Sequence, residues 1–327
     1  MNLVNLKNLK NMKRQLGWTD LHLTTVGFGA WAIGGGDWKF GWGPQEDDES
    51  IAAIHRALDL GINWIDTAAV YGFGHSEEVV GRAIKGLSQR PLIATKCSRI
   101  KGPDGTPFGR LKRDSILAEL EASLKRLGVE TIDLYQIHWP QPDEDIEEGW
   151  GAIADAVKDG KVRYAGVSNF NVDHLQRIQK IHPVASLQPP YSMLMRGVEK
   201  ELLPFCGANR IGVVVYSPMQ KGLLTGAFSR ERVASLPAND HRRNDPRFQE
   251  PQLSKILALV DQLKPIAEKN GRTVAQLAIA WVLRRPELTA AIVGARHASQ
   301  VDETARAGDW TLSQEDEQHI EQLLANV

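Results

Sequence analysis

Four ionisable side chains in the first half of the chain are of the kinds that move protons: Asp66, Tyr71, Lys96 and His138. A phenol has a pKa of about 10 and is a poor acid at neutral pH. An ammonium beside it stabilises the phenolate and lowers that pKa. A carboxylate keeps the ammonium charged and in place, and an imidazole donates a hydrogen bond to a carbonyl oxygen. Together such groups polarise a C=O and hand it a proton. No metal and no covalent nucleophile is needed. A hydride is still missing, and that is the work of a nicotinamide cofactor. Taken singly, each residue has an ordinary explanation: a strand-end cap, a loop aromatic, a solvated cation, a core histidine. Their meaning depends on whether the chain delivers them to one place, because clusters of perturbed ionisable groups mark functional sites.

The elements that carry them follow one rhythm. Short apolar segments at 26–29, 62–67, 92–96, 132–138, 164–168, 186–188, 212–217 and 289–294 alternate with amphipathic stretches at 47–60, 77–85, 114–127, 146–158, 172–181, 198–208, 254–269 and 299–307. Gly61, Gly86, Gly128, Gly160 and Gly271 follow helical stretches, where a left-handed stop is wanted. Continuous apolar strands suit a parallel sheet covered on both faces. Eight strand–helix units in this length predict a (β/α)₈ barrel of the α/β class. A hairpin at 13–16 and 21–23, an extra helix at 273–285 and a C-terminal helix at 313–325 are expected beside it. Thr273 and Gln276 are spaced as a capping box.

In such barrels the active site lies at the C-terminal ends of the strands. That rim receives Asp66 from the second strand with Tyr71 just beyond it, Lys96 from the third, and His138 then Trp139 from the fourth. Ser168 and Asn169 end the fifth strand, Gln188 the sixth, Tyr216 and Ser217 the seventh, and Gly294 to Arg296 the eighth. Three adjacent strand ends bearing these four proton-transfer residues are hard to explain by packing alone.

The chain has 327 residues, with 39 Lys and Arg against 40 Asp and Glu. That balance argues against a nucleic-acid partner, which favours a basic stripe. Two cysteines, Cys97 and Cys206, make no disulfide framework and suit a reducing compartment, so a cytoplasmic protein is expected. No apolar run approaches the roughly 20 residues of a membrane span, and residues 1–14 resemble neither a secretory signal nor a transit peptide. Residues 13–327 read as one barrel domain, preceded by a flexible segment at 1–12.

With these motifs in view, the sequence resembles the aldo-keto reductases, from about Lys13 to the C-terminal helix. The segments that carry the resemblance are GINWIDTAAVYG at 61–72, IATK at 93–96, DLYQIH at 133–138, GVSNF at 166–170 and YSPMQKGLLTG at 216–226. The resemblance implies that Tyr71 is the general acid, that Lys96 lowers its pKa, that Asp66 pairs with Lys96, and that His138 orients the carbonyl. It implies that Ser168, Asn169 and Gln188 hold the nicotinamide carboxamide and that Tyr216 stacks on its ring. Ser217, Pro218, Met219, Gln220, Gly222 and Leu223 would wrap the pyrophosphate, and Gln300 and Glu303 would meet the adenine end. Thr304 stands where Asn is common, and Ala227 where Lys often follows Thr-Gly.

Phosphate sites in barrels commonly follow strands seven and eight, at a helix N-terminus. Gly294 to Arg296 leads into a helix near Ser299, and Arg296 is placed to clamp a phosphate bidentately. NADP(H) is therefore the expected cofactor, and a small-molecule carbonyl, an aldehyde or a sugar, the expected substrate. Trp31 and Trp139 are expected in an aromatic wall over it, with Trp38, Phe40 and Trp42 nearby. The glycine run at 27–36 half-matches a dinucleotide fingerprint but lacks the following helix. Cys97 alternates with Lys96 and should face away from the site. Two other readings compete. One is a cofactor-binding regulatory subunit of the same fold, similar to the potassium-channel β-subunits; a long N-terminal segment would favour it, and about a dozen residues precede Lys13. The other is a metal-dependent barrel lyase or isomerase, for which the rim offers one His and one Asp, both already assigned.

Overall fold

The computed structural model describes residues 13–36 and 38–325. The segment expected to be flexible, 1–12, lies outside the described residues.

Strands β1 (Lys13–Gln15) and β2 (His22–Thr24) form an antiparallel hairpin. The chain then runs through β3 (Val26–Gly29), α1 (Asp47–Asp59), β4 (Trp64–Asp66), α2 (His75–Ile84) and β5 (Leu92–Cys97). A small antiparallel hairpin, β6 (Arg99–Lys101) and β7 (Pro107–Gly109), precedes α3 (Arg113–Leu127). Next come β8 (Ile132–Ile137), α4 (Ile146–Lys158), β9 (Val162–Ser168), α5 (Val172–Ile178), β10 (Ser186–Gln188), α6 (Leu202–Ala208) and β11 (Gly212–Val215). A long loop holding α7 (Arg230–Ala234) leads to α8 (Gln252–Lys269) and α9 (Val274–Leu283), followed by β12 (Leu288–Gly294), α10 (Ala298–Thr304) and α11 (Gln314–Leu324). Strands β3, β4, β5, β8, β9, β10, β11 and β12 close into one parallel barrel, with β12 pairing back onto β3. This is the (β/α)₈ architecture the alternation predicts.

Two apolar layers follow from the period of the strands, in which successive side chains point to opposite faces. Trp64, Ala94, Leu134, Val214, Ala290 and Ile292 fill the barrel interior, and Leu16, Leu21 and Leu23 of the β1–β2 hairpin close its lower end. Gly27 is needed there, since a Cβ would lie 2.1 Å from the Trp64 ring. Ile65, Ile93, Cys97, Ile132 and Val213 face outward against the helices. The same alternation that sends Ile65 and Cys97 outward sends Asp66 and Lys96 inward, at the upper end of the barrel.

The structure departs from the sequence expectations at several edges. The stretch after β5, where the sequence pattern marks neither strand nor helix, is the β6–β7 hairpin. It lies hard against the segment after β8, where a Cβ on Gly109 would sit 2.3 Å from the Gln141 carbonyl oxygen. The helix expected at 198–208 is a turn, Gly197–Glu199, followed by α6. Pro204 explains the break: it is tolerated in the first turn of α6 but would cost a hydrogen bond inside a longer helix. The helix expected at 77–85 begins at His75, after Gly72 and Gly74 take positive φ of 61° and 107°. The Thr273–Gln276 capping box forms as its spacing predicts.

Candidate active site

Asp66 is the last residue of β4 and Lys96 the fifth of β5, so the barrel register brings the two strand ends side by side. Both side chains are buried, and Lys96 Nζ lies 2.6 Å from Asp66 Oδ2. Lys96 also donates to the Thr67 carbonyl at 2.8 Å and to the Tyr71 hydroxyl at 3.2 Å. The second oxygen of Asp66 accepts from Gln188 Nε2 at 2.8 Å. Every strong donor and acceptor of this buried pair thus has a partner, as an ion pair out of water requires.

Tyr71 sits in the turn between β4 and α2. That turn abuts the loop after β3, where a Cβ on Gly72 would lie 2.1 Å from the Gly34 carbonyl oxygen. Burial and the Asp66 carboxylate push the phenol well above its ordinary pKa. Desolvation dominates that balance, and Lys96, the hydrogen-bond donor to the phenol oxygen, is itself paired with Asp66. Tyr71 therefore stands protonated, with an ammonium hydrogen bond on its oxygen. His138, just beyond β8, packs edge-on to Tyr71 with ring centroids 5.7 Å apart. Burial, then the charges of Lys96 and Arg99, hold it well below the usual histidine range, so it is neutral. Its Nδ1 is buried without a hydrogen-bond partner among the described residues. The lesser cost is to leave that atom an acceptor, which puts the single proton on Nε2.

One wall is a hydrogen-bonded chain. Tyr216 donates to Asn169 Oδ1 at 2.8 Å; Asn169 Nδ2 donates to the His138 carbonyl and to Ser168 Oγ, each at 3.0 Å; Ser168 Oγ donates to the Gln188 carbonyl at 2.8 Å. Over the opposite side Trp31 stacks on Tyr71 at 6.2 Å and 22°. It also meets Trp42 edge-on at 5.3 Å and His241 at 4.9 Å. Trp38 packs on Tyr71 as well.

Asp66, Tyr71 and His138 open into a cavity of about 740 Å³ that extends to Gly294, Arg296, Gln300 and Glu303. Ser168, Asn169, Gln188, Tyr216, Ser217, Pro218, Met219, Gln220, Gly222, Trp31 and Trp139 line it too. Lys96 does not: it acts from behind Tyr71. Leu223 does not either, because its side chain is wholly buried in the outer core. Ser217, Gln220, Lys221 and Gly222 all take positive φ, which turns this segment's backbone sharply along the cavity. Such a cradle, with cations at its far end, fits an elongated anionic dinucleotide.

At the far end the Arg296 guanidinium is engaged by the protein's own loop. It donates to Gln45 Oε1 at 2.6 Å, to the Trp42 carbonyl at 3.3 Å and to the Pro44 carbonyl. The backbone N–H groups of Arg296 and His297 are capped by the Gln300 side-chain oxygen, at 2.8 and 3.4 Å. Both lie just before the helix, which begins at Ala298, so Gln300 is first of all a cap. Lys221, another cation on the cavity wall, is paired with Asp245 at 2.8 Å.

Sequence reasoning passed over several residues that matter here. Gln136 lies under the site, its Oε1 accepting from Gln188 at 3.4 Å. Behind β5 and β8, Glu77 accepts from Thr95 at 2.5 Å and pairs with Arg126 at 2.6 Å. Beside it Glu119 accepts from the Ser98 N–H at 3.1 Å, and burial raises its pKa to about 7. Cys97 faces this outer layer, as alternation predicts, and burial pushes its thiol well up. Glu119 carried one usable signal, an acid on the inward stripe of an amphipathic helix.

Comparisons with known proteins agree with this picture. The model of the aldo/keto reductase family matches residues 25–325. Aldo-keto reductase YhdN of Bacillus subtilis (strain 168) is 38% identical over 312 residues, covering 94% of this chain and 92% of that protein. The NADH-specific methylglyoxal reductase of Escherichia coli (strain K12) is 36% identical over 318 residues, 93% of this chain and 95% of that protein. Among solved structures, the glycerol dehydrogenase AKR11B4 from Gluconobacter oxydans superposes with a TM-score of 0.88 at 38% identity, over 96% of this chain and 95% of the other.

Proposed function

The chain belongs to the aldo/keto reductase family, and from that premise we propose that it reduces aldehyde or ketone carbonyls to alcohols with NADPH, Tyr71 acting as the general acid. The observation that carries the reading is Lys96 Nζ, wholly buried and within hydrogen-bond reach of both Asp66 and the Tyr71 hydroxyl.

A bound nicotinamide supplies the hydride. The protein's part is to hold and charge the oxygen. Neutral His138 donates from Nε2 to the carbonyl oxygen and sets its position. Tyr71 gives its proton to that oxygen as negative charge develops there. Lys96 stabilises the nascent tyrosinate through its hydrogen bond. Asp66 keeps Lys96 charged, so the stabilisation is in place before reaction begins. Trp31 and Trp38, packed on the phenol, exclude water from the reacting atoms. Ser168, Asn169 and Gln188 would hold the carboxamide, with Gln188 using its Oε1 because its Nε2 is given to Asp66. Tyr216, fixed by its bond to Asn169, would meet the ring face. Ser217, Pro218, Met219, Gln220 and Gly222 would follow the pyrophosphate, and Leu223 would contribute backbone only. Arg296, Gln300 and Glu303 would meet the adenosine end.

The preference for NADPH over NADH rests on the cations of that end, Arg232, Arg242, Arg247 and Arg296, all on the cavity wall. The test is oxidation of NADPH and NADH against a panel of aldehydes, ketones and sugars, with wild type and Tyr71→Phe side by side. The variant should lose at least about a hundredfold in turnover and retain cofactor binding by fluorescence titration. A loss of less than about tenfold would remove Tyr71 from the proton-transfer role.

A further inference from the structure

The carbonyl end of the cavity holds a cation that the mechanism above does not use. Arg99 opens β6, three residues after Lys96, and its half-buried guanidinium lines the same cavity as Tyr71, His138 and Trp139. It donates to two neutral acceptors, the Pro107 carbonyl at 3.2 Å and Gln141 Oε1 at 3.3 Å. Among the described residues no carboxylate lies within ion-pair distance of it. Two other cations on this cavity wall are neutralised, Lys221 by Asp245 and Arg242 by Asp240, whereas Arg296, at the far end, is held like Arg99 by neutral acceptors. A partly desolvated guanidinium left with neutral partners is costly, and the cost is recovered when an anion arrives. Burial alone holds Arg99 below its ordinary pKa, with no neighbouring acid to offset it.

The residue is also held in place. Its strand pairs with β7 in the register Arg99 to Gly109, and Gly109 packs against the Gln141 backbone. The preceding residue is clamped on both sides, the Ser98 N–H by the Glu119 carboxylate at 3.1 Å and the Ser98 carbonyl by the Arg110 N–H at 3.1 Å. The mouth beside it is cationic as well, with Lys101 Nζ 5.0 Å from the centre of the Phe73 ring.

We propose that Arg99 reads the substrate: the preferred substrate is an aldehyde or ketone bearing a carboxylate or phosphate, seated with its carbonyl at Tyr71 and His138 and its anion on the Arg99 guanidinium. This rests on the carbonyl-reductase reading and names the substrate class of the same site. It makes Arg99 a specificity-determining residue with no part in the proton transfer.

Two matched pairs test it: 4-oxobutanoate against butanal for a carboxylate, and glyceraldehyde 3-phosphate against glyceraldehyde for a phosphate. At low ionic strength the anionic member of at least one pair should have a kcat/KM at least about tenfold above its neutral partner, the scale of one charge-assisted hydrogen bond. The pair that responds identifies the anion. The ratio should shrink as salt is added. In Arg99→Met it should fall towards one, mainly through KM. Arg99→Lys keeps the charge without the fork and should give an intermediate ratio, which separates charge reading from damage to the hairpin. Neutral substrates reduced as well as anionic ones by the wild type, or equal ratios in wild type and Arg99→Met, would overturn the inference and leave carbonyl reduction standing. Reduction of none of the four aldehydes would overturn the underlying reading, and this one with it.

Discussion

The two ends of the cavity are built on opposite principles. At the carbonyl end, Asp66, Lys96 and Gln188 come from the last residues of barrel strands and bond to one another across them. Nothing there has to move for the chemistry. At the other end, Arg296 and Gln300 spend their donors and acceptors on the protein's own loops and helix start. The guanidinium keeps two of its five N–H groups beyond these three bonds, so a phosphate bound there, as proposed, would share Arg296 with the 42–45 loop or exchange with it. One end is preorganised, and the other shares or exchanges its partners. Rate should therefore depend on the first, and affinity and cofactor choice on the second.

The largest test of that contrast is Lys96→Met. It should cost at least about a hundredfold in turnover and strand Asp66 as a buried carboxylate with Gln188 as its remaining side-chain donor. Breaking one partner from a buried ion pair costs about 3–5 kcal/mol, so the melting temperature should fall as well. Rate and thermal melts on one preparation check both, and a normal rate with a normal pH profile would take Lys96 out of the mechanism. At the exchanging end, Arg296→Ala should raise the dissociation constant for NADPH by about one to two decades and that for NADH much less. Equal weakening of both would place Arg296 on a shared part of the dinucleotide. No weakening of either would leave it as the anchor of the 42–45 loop.

The smallest expected effect lies behind the preorganised end, at a carboxylate that is largely buried but incompletely satisfied. Glu119 has a folded-state pKa raised to about 7, above its unfolded value, and its Oε2 is without a partner. The folded protein thus binds more protons than the unfolded one between these two values. Stability must fall as pH rises through that window, and the loss is complete above it. Glu119→Gln keeps an acceptor for the Ser98 N–H and removes the charge. It should raise the melting temperature by a few degrees near about pH 8, and the gain should vanish below about pH 5. A gain independent of pH would mean that ionisation of Glu119 is not its source, and a loss near pH 8 would show that the carboxylate is already paired.

What could be read from sequence follows the same divide. The period-two alternation of β4 and β5 placed Asp66 and Lys96 inward and Cys97 outward, and glycine stops such as Gly128 marked the helix ends. These signals are local, so a linear reading reaches them. The hairpin around Arg99 was invisible because its strands are three residues long, one charged and the other holding Pro107 and Gly109, and because it is defined by packing on Gln141. The tie between Arg296 and Gln45 spans 251 positions, and no local pattern announces it. Gln300 looked like a ligand contact, but its first duty is to cap the helix it sits on. The two influences on Tyr71 divide in the same way: the Lys96 charge is visible in the sequence, whereas the desolvation around the phenol belongs to the assembled fold.

The floor of the barrel bears on how the molecule is made. Arg14 is bonded to the carbonyl of Leu288, 274 residues later, and β3 finds one of its two barrel neighbours only in β12. At a synthesis rate of about 5–20 residues per second, the first strand waits roughly 15–55 s on the ribosome for the last. Until then the nascent chain is an open curl of strands with two unpaired edges, and Leu16, Leu21 and Leu23 have no finished floor to seal. Closure thus waits for β12, with α10 and α11 of the described elements still to follow, and the interval before it is when the chain is most exposed to pairing with the wrong edge.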